Sequence, residues 1–253
     1  EEEEETPRVE YNPATGLHFH PAPGVLDFTL RGFLWATYQF RTHYDGGGNV
    51  DWSNRFYVRE TRLKFVASMG GGLFRMVIQP NVANGNPGLQ DGYLQLVLHP
   101  SAVITIGQQL VGYDWEMNTS PPIYPVIGLS PVASYFGHAR DLGIQFHGTA
   151  GGRFYYRVGA FNGGGRMNPN DNREFLFAAM LRIQILGSLL PGWGWSDFGR
   201  DPNLNLTAGA GGTWDSRVRG GVDEDVWQTT FQVHLRGWGL SLVYLGHVQG
   251  LIT

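Results

Sequence analysis

The 253-residue chain carries 18 Lys and Arg against 22 Asp and Glu, a net charge of −4. That mildly acidic balance argues against a nucleic-acid partner, and the absence of cysteine removes thiolate metal sites, thiol catalysis and disulfides together. No stretch approaches the ~18 consecutive apolar residues of a membrane helix, a test that is blind to the weaker trace of β-barrel strands.

Residues 1–10, EEEEETPRVE, form a like-charge block of the kind that stays solvated. The stretch 16–24, GLHFHPAPG, reads as a short extended piece ending in a turn. His18 and His20 share one strand face there, but no third ligand stands near, so they read as a strand edge and not a metal pair.

Residues 26–40, LDFTLRGFLWATYQF, alternate clearly. Leu26, Phe28, Leu30, Leu34, Tyr38 and Phe40 fall on one face of a strand, and Asp27, Thr29, Arg31, Thr37 and Gln39 on the other. The run is also longer than the usual globular strand of ~5–6 residues. The same alternation returns at 60–69, 73–82, 89–99, 102–112, 139–149, 153–162, 173–186, 203–213, 225–236 and 239–248, which makes eleven candidate strands with no convincing helix between them.

The connections sort into two kinds. Those at 70–72, 100–101, 150–152 and 236–237 are short, while those at 45–54, 83–88, 116–137, 163–173 and 214–223 are long. Only 188–203 is long on the short side. A soluble sandwich has no reason to sort its loops this way; a barrel in an outer membrane does. Lipid also accounts for strands that are apolar on one side and polar on the other, because a closed barrel there has an apolar outside and a polar inside. By shared parity Leu26, Phe28, Leu30, Leu34, Phe65, Leu94, Leu96, Ile144, Phe146, Tyr156, Phe175, Phe177 and Leu242 are expected to face lipid. The pattern predicts an all-β fold, an antiparallel transmembrane β-barrel over 25–253. Residues 1–24 are expected to form an acidic tail and a short periplasmic segment. The odd strand count and an ending without a terminal aromatic, GHVQGLIT, lead us to expect at least 12 strands, the remainder following Thr253.

The text at 138–165, HARDLGIQFHGTAGGRFYYRVGAFNGGG, resembles the phosphate-selective porin O and P family. Its members carry a strand opening Arg-Asp-Leu/Ile-Gly, here Arg140, Asp141, Leu142 and Gly143. A tight turn and a strand ending Val-Phe-Asn-Gly follow, matched here by Gly159, Ala160, Phe161, Asn162 and Gly163. RETRLKFVASMGGGLFRMVIQ looks like the second hairpin of that family, and DGYLQLVLHPSAVITIGQQLVGYDWEMNTS like its next; the likeness covers most of 25–185. The resemblance implies a sixteen-stranded, often trimeric, anion-favouring channel of a Gram-negative outer membrane, with its third long loop folded into the pore. The chain departs from the family after Gly107 and Gln108: Leu110 and Gly112 stand where members often carry a lysine and a proline, and Lys64 is the one lysine of the sequence. The resemblance therefore implies the porin architecture without implying phosphate as the solute.

Projected by parity, the lumen face collects Arg31, Arg41, Arg62, Lys64, Arg75, Arg153, Arg157, Arg182 and Arg236, together with Asp27, Glu60, Asp91, Asp141 and Glu174. Rings of Arg and Lys attract anions in pores, whereas mixed charges on neighbouring strands pair and stiffen the wall. Both roles stay open. Arg140 and Asp141 read as fixing a strand end beside the loop. The inserted loop, 116–137, offers Glu116, Pro121, Pro122, Ile123, Tyr124, Pro125, Ile127 and Pro131 as a stiff, rather apolar constriction. No serine stands at a recognisable spacing from His99, His147 or His234, so no catalytic residue, metal or cofactor is expected. The expected function is passive diffusion of small solutes through an outer-membrane porin. The alternative is a barrel plugged by its own loop that anchors a larger envelope assembly. Expected partners are outer-membrane lipid and further copies of the chain or an envelope complex.

Overall fold

The computed structural model describes residues 8–13, 15–22, 24–44, 47, 50–83, 87–119, 129–136, 138–170, 174–187, 203–215, 222–235 and 238–251. Thirteen strands form a sheet in which the order of hydrogen-bonded neighbours is the order of the chain. The chain divides into two compact units, Glu1–Gly92 and Tyr93–Thr253.

In the first unit β1 (Arg8–Asn12), β2 (Gly16–Ala22), β3 (Leu26–Tyr44), β4 (Val50–Met69) and β5 (Phe74–Asn81) pair antiparallel in sequence. β6 (Gly88–His99) runs across the boundary between the units. The second unit holds β7 (Ala102–Leu110), two short helices α1 (Trp115–Asn118) and α2 (Pro131–Phe136), β8 (Arg140–Ala150), β9 (Phe154–Phe161) and β10 (Leu176–Leu186). It continues with β11 (Asn205–Asp215), β12 (Val222–Leu235) and β13 (Trp238–Leu251). From β7 onward each strand is antiparallel to the next. No helix among the described residues is long and apolar enough to cross a membrane.

The eleven expected strands correspond to β3–β13. Four local expectations need correction. β1 lies within the stretch expected to be an acidic tail, where it pairs with β2 through Arg8↔His20 to Asn12↔Gly16. Half of the long loop expected at 45–54 is strand, since β4 begins at Val50. The cause is a bulge. Trp35 pairs with Glu60 and Ala36 with Val58, leaving Arg59 as the extra residue of β4. One inserted residue exchanges the faces of everything beyond it. Leu63 and Phe65 therefore share a face with Val58, Phe56 and Trp52, an alternation that changes phase at Arg59. In the second unit, two short helices occupy part of 111–139, where no helix was expected. Finally, Arg153 stands in the turn between β8 and β9, and Glu174 precedes β10, so neither belongs to a strand wall.

Burial runs opposite to the rule for water-soluble domains. On β10 Arg182 and Gln184 are buried on the same face as Leu176, Ala178 and Met180, with Arg182 4 % exposed, while its neighbour Leu181 is 44 % exposed. On β5 Gln79 is buried and Ile78 exposed; on β8 Gln145 is buried between exposed Ile144 and Phe146. Large contiguous apolar exposure of this kind marks an interface with something other than water. Of the residues expected to face lipid, Phe28, Leu34, Phe65, Leu94, Ile144, Phe146 and Phe177 are exposed. Leu26, Leu30, Leu96 and Tyr156 are half-buried, and Phe175, also exposed, lies just before β10. The Leu242 side chain lies outside the described residues.

Close backbone packing in the second unit depends on glycine. The β8–β9 turn holds Gly151 and Gly152 at φ +57° and +65°, the left-handed region that glycine enters without a steric penalty. A methyl group on Gly148 would fall on the backbone of Ser101. Gly148→Ala should therefore cost about 1–3 kcal/mol in stability. Gly32→Ala, whose new methyl meets only Leu63 Cδ2 at 3.8 Å, should be nearly neutral. Urea unfolding followed by tryptophan fluorescence compares the two.

Candidate functional site

The site is the polar face of β7–β11 together with the chain laid over it. Beyond Leu110 the chain turns back onto this face instead of extending from the strand ends. Val111 and Tyr113 pack with Phe161, Leu176 and Ala178 in a buried apolar cluster. Asp114 then starts α1 as its N-cap, its side-chain Oδ1 accepting from the Met117 N–H at 2.8 Å. Capping by a carboxylate satisfies a helix N–H that would otherwise lose its partner on leaving water.

Three contacts hold α1 down. The Arg182 guanidinium lies 4.4 Å from the Trp115 ring centre, a cation–π contact that strengthens when water is excluded. Trp115 is itself fully buried. Arg157 Nη1 donates to Asn118 Oδ1 at 2.7 Å. Gly211 lets the Tyr113 carbonyl approach β11, since a methyl group there would stand 2.5 Å from the Tyr113 oxygen. Glu116 ties the two ends of the inserted stretch: its carboxylate accepts from Ser130 Oγ at 2.7 Å and from the Ser130 N–H. Ser130 Oγ in turn accepts from the Ala133 N–H at 3.1 Å, at the start of α2.

The polar face beneath is built largely of neutral hydrogen-bonding groups. Gln95 donates to Thr105 Oγ1 at 3.1 Å, and Thr105 Oγ1 shares a 3.0 Å hydrogen bond with His147 Nε2. Thr207 donates to Gln184 Oε1 at 2.7 Å. Gln108 Oε1 accepts from the Met167 N–H at 2.8 Å, and Asp141 Oδ2 from the Gly163 N–H at 2.6 Å, so the β9–β10 connection is anchored on the same side. Asp141 thus fixes backbone, as its position at a strand end suggested.

Arg157, Arg182, Asp141 and Glu116 come together in this site. Apart from Arg153, Glu174 and Arg236, the other predicted wall residues lie in the first unit. There Arg31 stands directly opposite Lys64 in the β3–β4 register, Arg62 pairs with Glu60 at 2.8 Å, and Asp27 pairs with His20 at 2.5 Å. Arg75 stands opposite Ser68 and Arg41 opposite Ser53, both exposed, and Asp91 is half-buried on β6. Arg153 and Glu174 are off the strands, as described above. Pro131 opens α2 and is exposed. Pro121, Pro122, Ile123, Tyr124, Pro125, Ile127 and Arg236 lie outside the described residues.

Tyr113, Asp114, Trp115, Asn118 and the Gln/Thr face escaped the sequence reading, which weighed charges and the apolar part of the loop. The signal within reach was the string Asp114-Trp115-Glu116-Met117, an aspartate in N-cap position ahead of a turn of helix. One contact does put a serine beside a histidine: Ser101 Oγ and His99 Nδ1 are 2.7 Å apart. The same ring nitrogen accepts from the Ser101 N–H at 3.2 Å, which makes the pair a turn cap. His18 bonds to Thr15 and Thr29, and among the described residues no three His, Asp or Glu side chains cluster as metal ligands.

Burial raises the Tyr113 phenol well above its usual range, with the neighbouring Asp114 carboxylate adding to the effect. Burial likewise pushes Asp114 from 3.8 up to about 6; the Glu116 charge adds to the rise and the Met117 N–H opposes it. A carboxyl whose docked pKa exceeds its free value binds its proton more tightly when docked. Docking of α1 should therefore be tightest below the free value of 3.8, weaken as pH rises from there to about 6, and stay constant above.

Two outcomes follow for protease mapping with chymotrypsin, read at the buried Tyr113. Trp115→Ala should release the segment, because truncating a buried tryptophan costs about 3–5 kcal/mol; Gly211→Ala should do the same by pushing on the Tyr113 carbonyl. Protection of the native chain should decline between pH 4 and pH 6, within the window set by Asp114. Asp114→Asn keeps the cap acceptor without the charge and should remove that decline.

The chain matches no protein-family model and no curated protein sequence.

Proposed function

We propose that the chain is an outer-membrane β-barrel channel for passive diffusion of small solutes, with the segment 111–139 folded into the lumen to narrow it. The observation that carries this reading is the inverted burial: polar side chains lie covered and apolar ones exposed on the same strands. Water gives no reason for that arrangement, whereas lipid requires it. Strands paired in chain order, and the resemblance of 138–165 to the phosphate-selective porin O and P family, support the same reading.

The wall attracts anions weakly. Arg31 stands opposite Lys64 in the β3–β4 register, a placing of two cations on one face that is consistent with a field serving the solute. Glu60 beside Arg62 offsets part of that field. In a low-dielectric channel the remainder concentrates anions. The second reading, a plugged barrel anchoring an envelope assembly, is favoured by one observation: α1 seals Arg182 and Trp115 almost completely from solvent.

Two measurements test the reading. Leu94→Arg or Ile144→Arg at mid-membrane should cost about 2–4 kcal/mol of folding into vesicles; no penalty at either would end the membrane reading. In planar bilayers the native chain should conduct and deletion of 121–132 should raise conductance. Arg62→Ala with Lys64→Ala should shift the reversal potential away from anions. Zero conductance before and after the deletion would leave the scaffold as the better reading.

A further inference from the structure

β3 and β4 run on where their neighbours stop. Pairing of β2 with β3 ends at Leu30, and pairing of β5 with β4 ends at Arg62. Beyond the Arg59 bulge the two strands continue as a ribbon, Ala36–Tyr44 against Val50–Val58. A two-stranded hairpin alone is marginal in water.

The two faces of this ribbon differ. On one, Arg55 donates to Gln39 at 3.1 Å and lies 4.8 Å from the Tyr57 ring centre, and Arg59 lies 4.7 Å from that of Trp35. The other carries Tyr38, Phe40, Tyr44, Trp52 and Phe56, exposed by 53–85 %. Tyr38 touches Phe56 and Phe40 touches Trp52, with ring centres 4.9 and 6.3 Å apart, and nothing among the described residues lies over them.

Lipid does not reach this far on the channel reading, on which the inference rests. A strand of 19 residues at ~3.3 Å each, tilted ~45°, rises about 45 Å against an apolar band of ~25 Å. At that rise the band takes about 11 residues, so counted from the start of β3 it reaches from Leu26 to Ala36, and the aromatic residues from Tyr38 onward lie beyond it. Its size suits a protein partner. Side chains of 150–250 Å² each, exposed as these are, present on the order of 600 Å² per copy, approaching the ~800 Å² per partner of a standard interface.

Geometry selects the partner. The aromatic face continues the lipid-facing stripe of β3, so it points sideways along the membrane plane. A second copy in the same membrane carries the same patch at the same height, and a two-fold axis along the membrane normal brings the patch onto itself. Two ribbons packed face to face at ~10 Å make a four-stranded, two-layered sandwich with an aromatic core. We propose that the Tyr38–Phe56 face is a self-association surface through which two copies of the chain pair above the membrane.

The chain has no cysteine, so single introduced thiols report without background. The full chain is reconstituted in phosphatidylcholine vesicles and oxidised with copper phenanthroline. Phe56→Cys and Tyr38→Cys should give disulfide-linked dimers on non-reducing gels, and Gln39→Cys, on the opposite face, should not. Phe56→Asp should lower the dimer fraction about tenfold, as loss of a hot-spot aromatic does. A dimer yield for both aromatic-face thiols no greater than that of Gln39→Cys would overturn the proposal. So would quenching by brominated lipid of a fluorophore attached through Phe56→Cys, which would put lipid over the ribbon. A fluorophore attached through Phe65→Cys separates the two ideas: quenched there, the membrane reading stands whatever the ribbon does; unquenched, the membrane reading itself fails.

Discussion

A guanidinium on a strand can be taken out of water only if whatever covers it accommodates a cation. Arg182 is covered by Trp115, an aromatic ring that attracts a cation while excluding water. The arrangement of the second unit follows from that contact. For Trp115 to reach Arg182 the chain must fold back at Leu110, Asp114 must cap α1, and β11 must offer a glycine where the Tyr113 carbonyl passes. Glu116 and Ser130 then close the far end of the segment.

The sheet under this segment has two faces of opposite chemistry. Its backbone groups pair between strands, so the choice of environment falls to the side chains. On the polar face Gln95 bonds to Thr105, Thr207 to Gln184 and Gln108 to the connection laid over it, which pairs these groups at low exposure. On the other face Leu94, Ile144, Val158 and Phe177 are left exposed. A sheet of this polarity is unfavourable in water and favourable in lipid, because lipid removes apolar surface from water without competing for hydrogen bonds.

A single bulge makes the two halves of β4 serve different ends. Without Arg59 as an extra residue, Phe56 and Trp52 would fall on the face that holds Arg62 and Lys64. With it, the aromatic stripe of the ribbon continues the apolar stripe below. The bulge residue is not idle, since its guanidinium lies over Trp35 and covers that ring on the polar side.

The sequence by itself determined the class of the fold. Period-two alternation needs only local chemistry, and it located the eleven strands β3–β13, many of their exposed apolar residues and Asp141 as a backbone anchor. It failed where the answer depends on residues far apart in the chain. The phase change at Arg59 is a property of register with β3, so residues 50–54 read as loop and the strand was expected to begin only at Glu60. The meeting of Trp115 with Arg182 joins positions that no periodicity connects. Arg157 read as a bare wall charge because its partner, Asn118, stands 39 residues away in the chain. Local alternation decides which face a side chain takes; only the tertiary structure decides what that face is laid against, because contact across a sheet is set by pairing register and loop path, and these are properties of the whole chain.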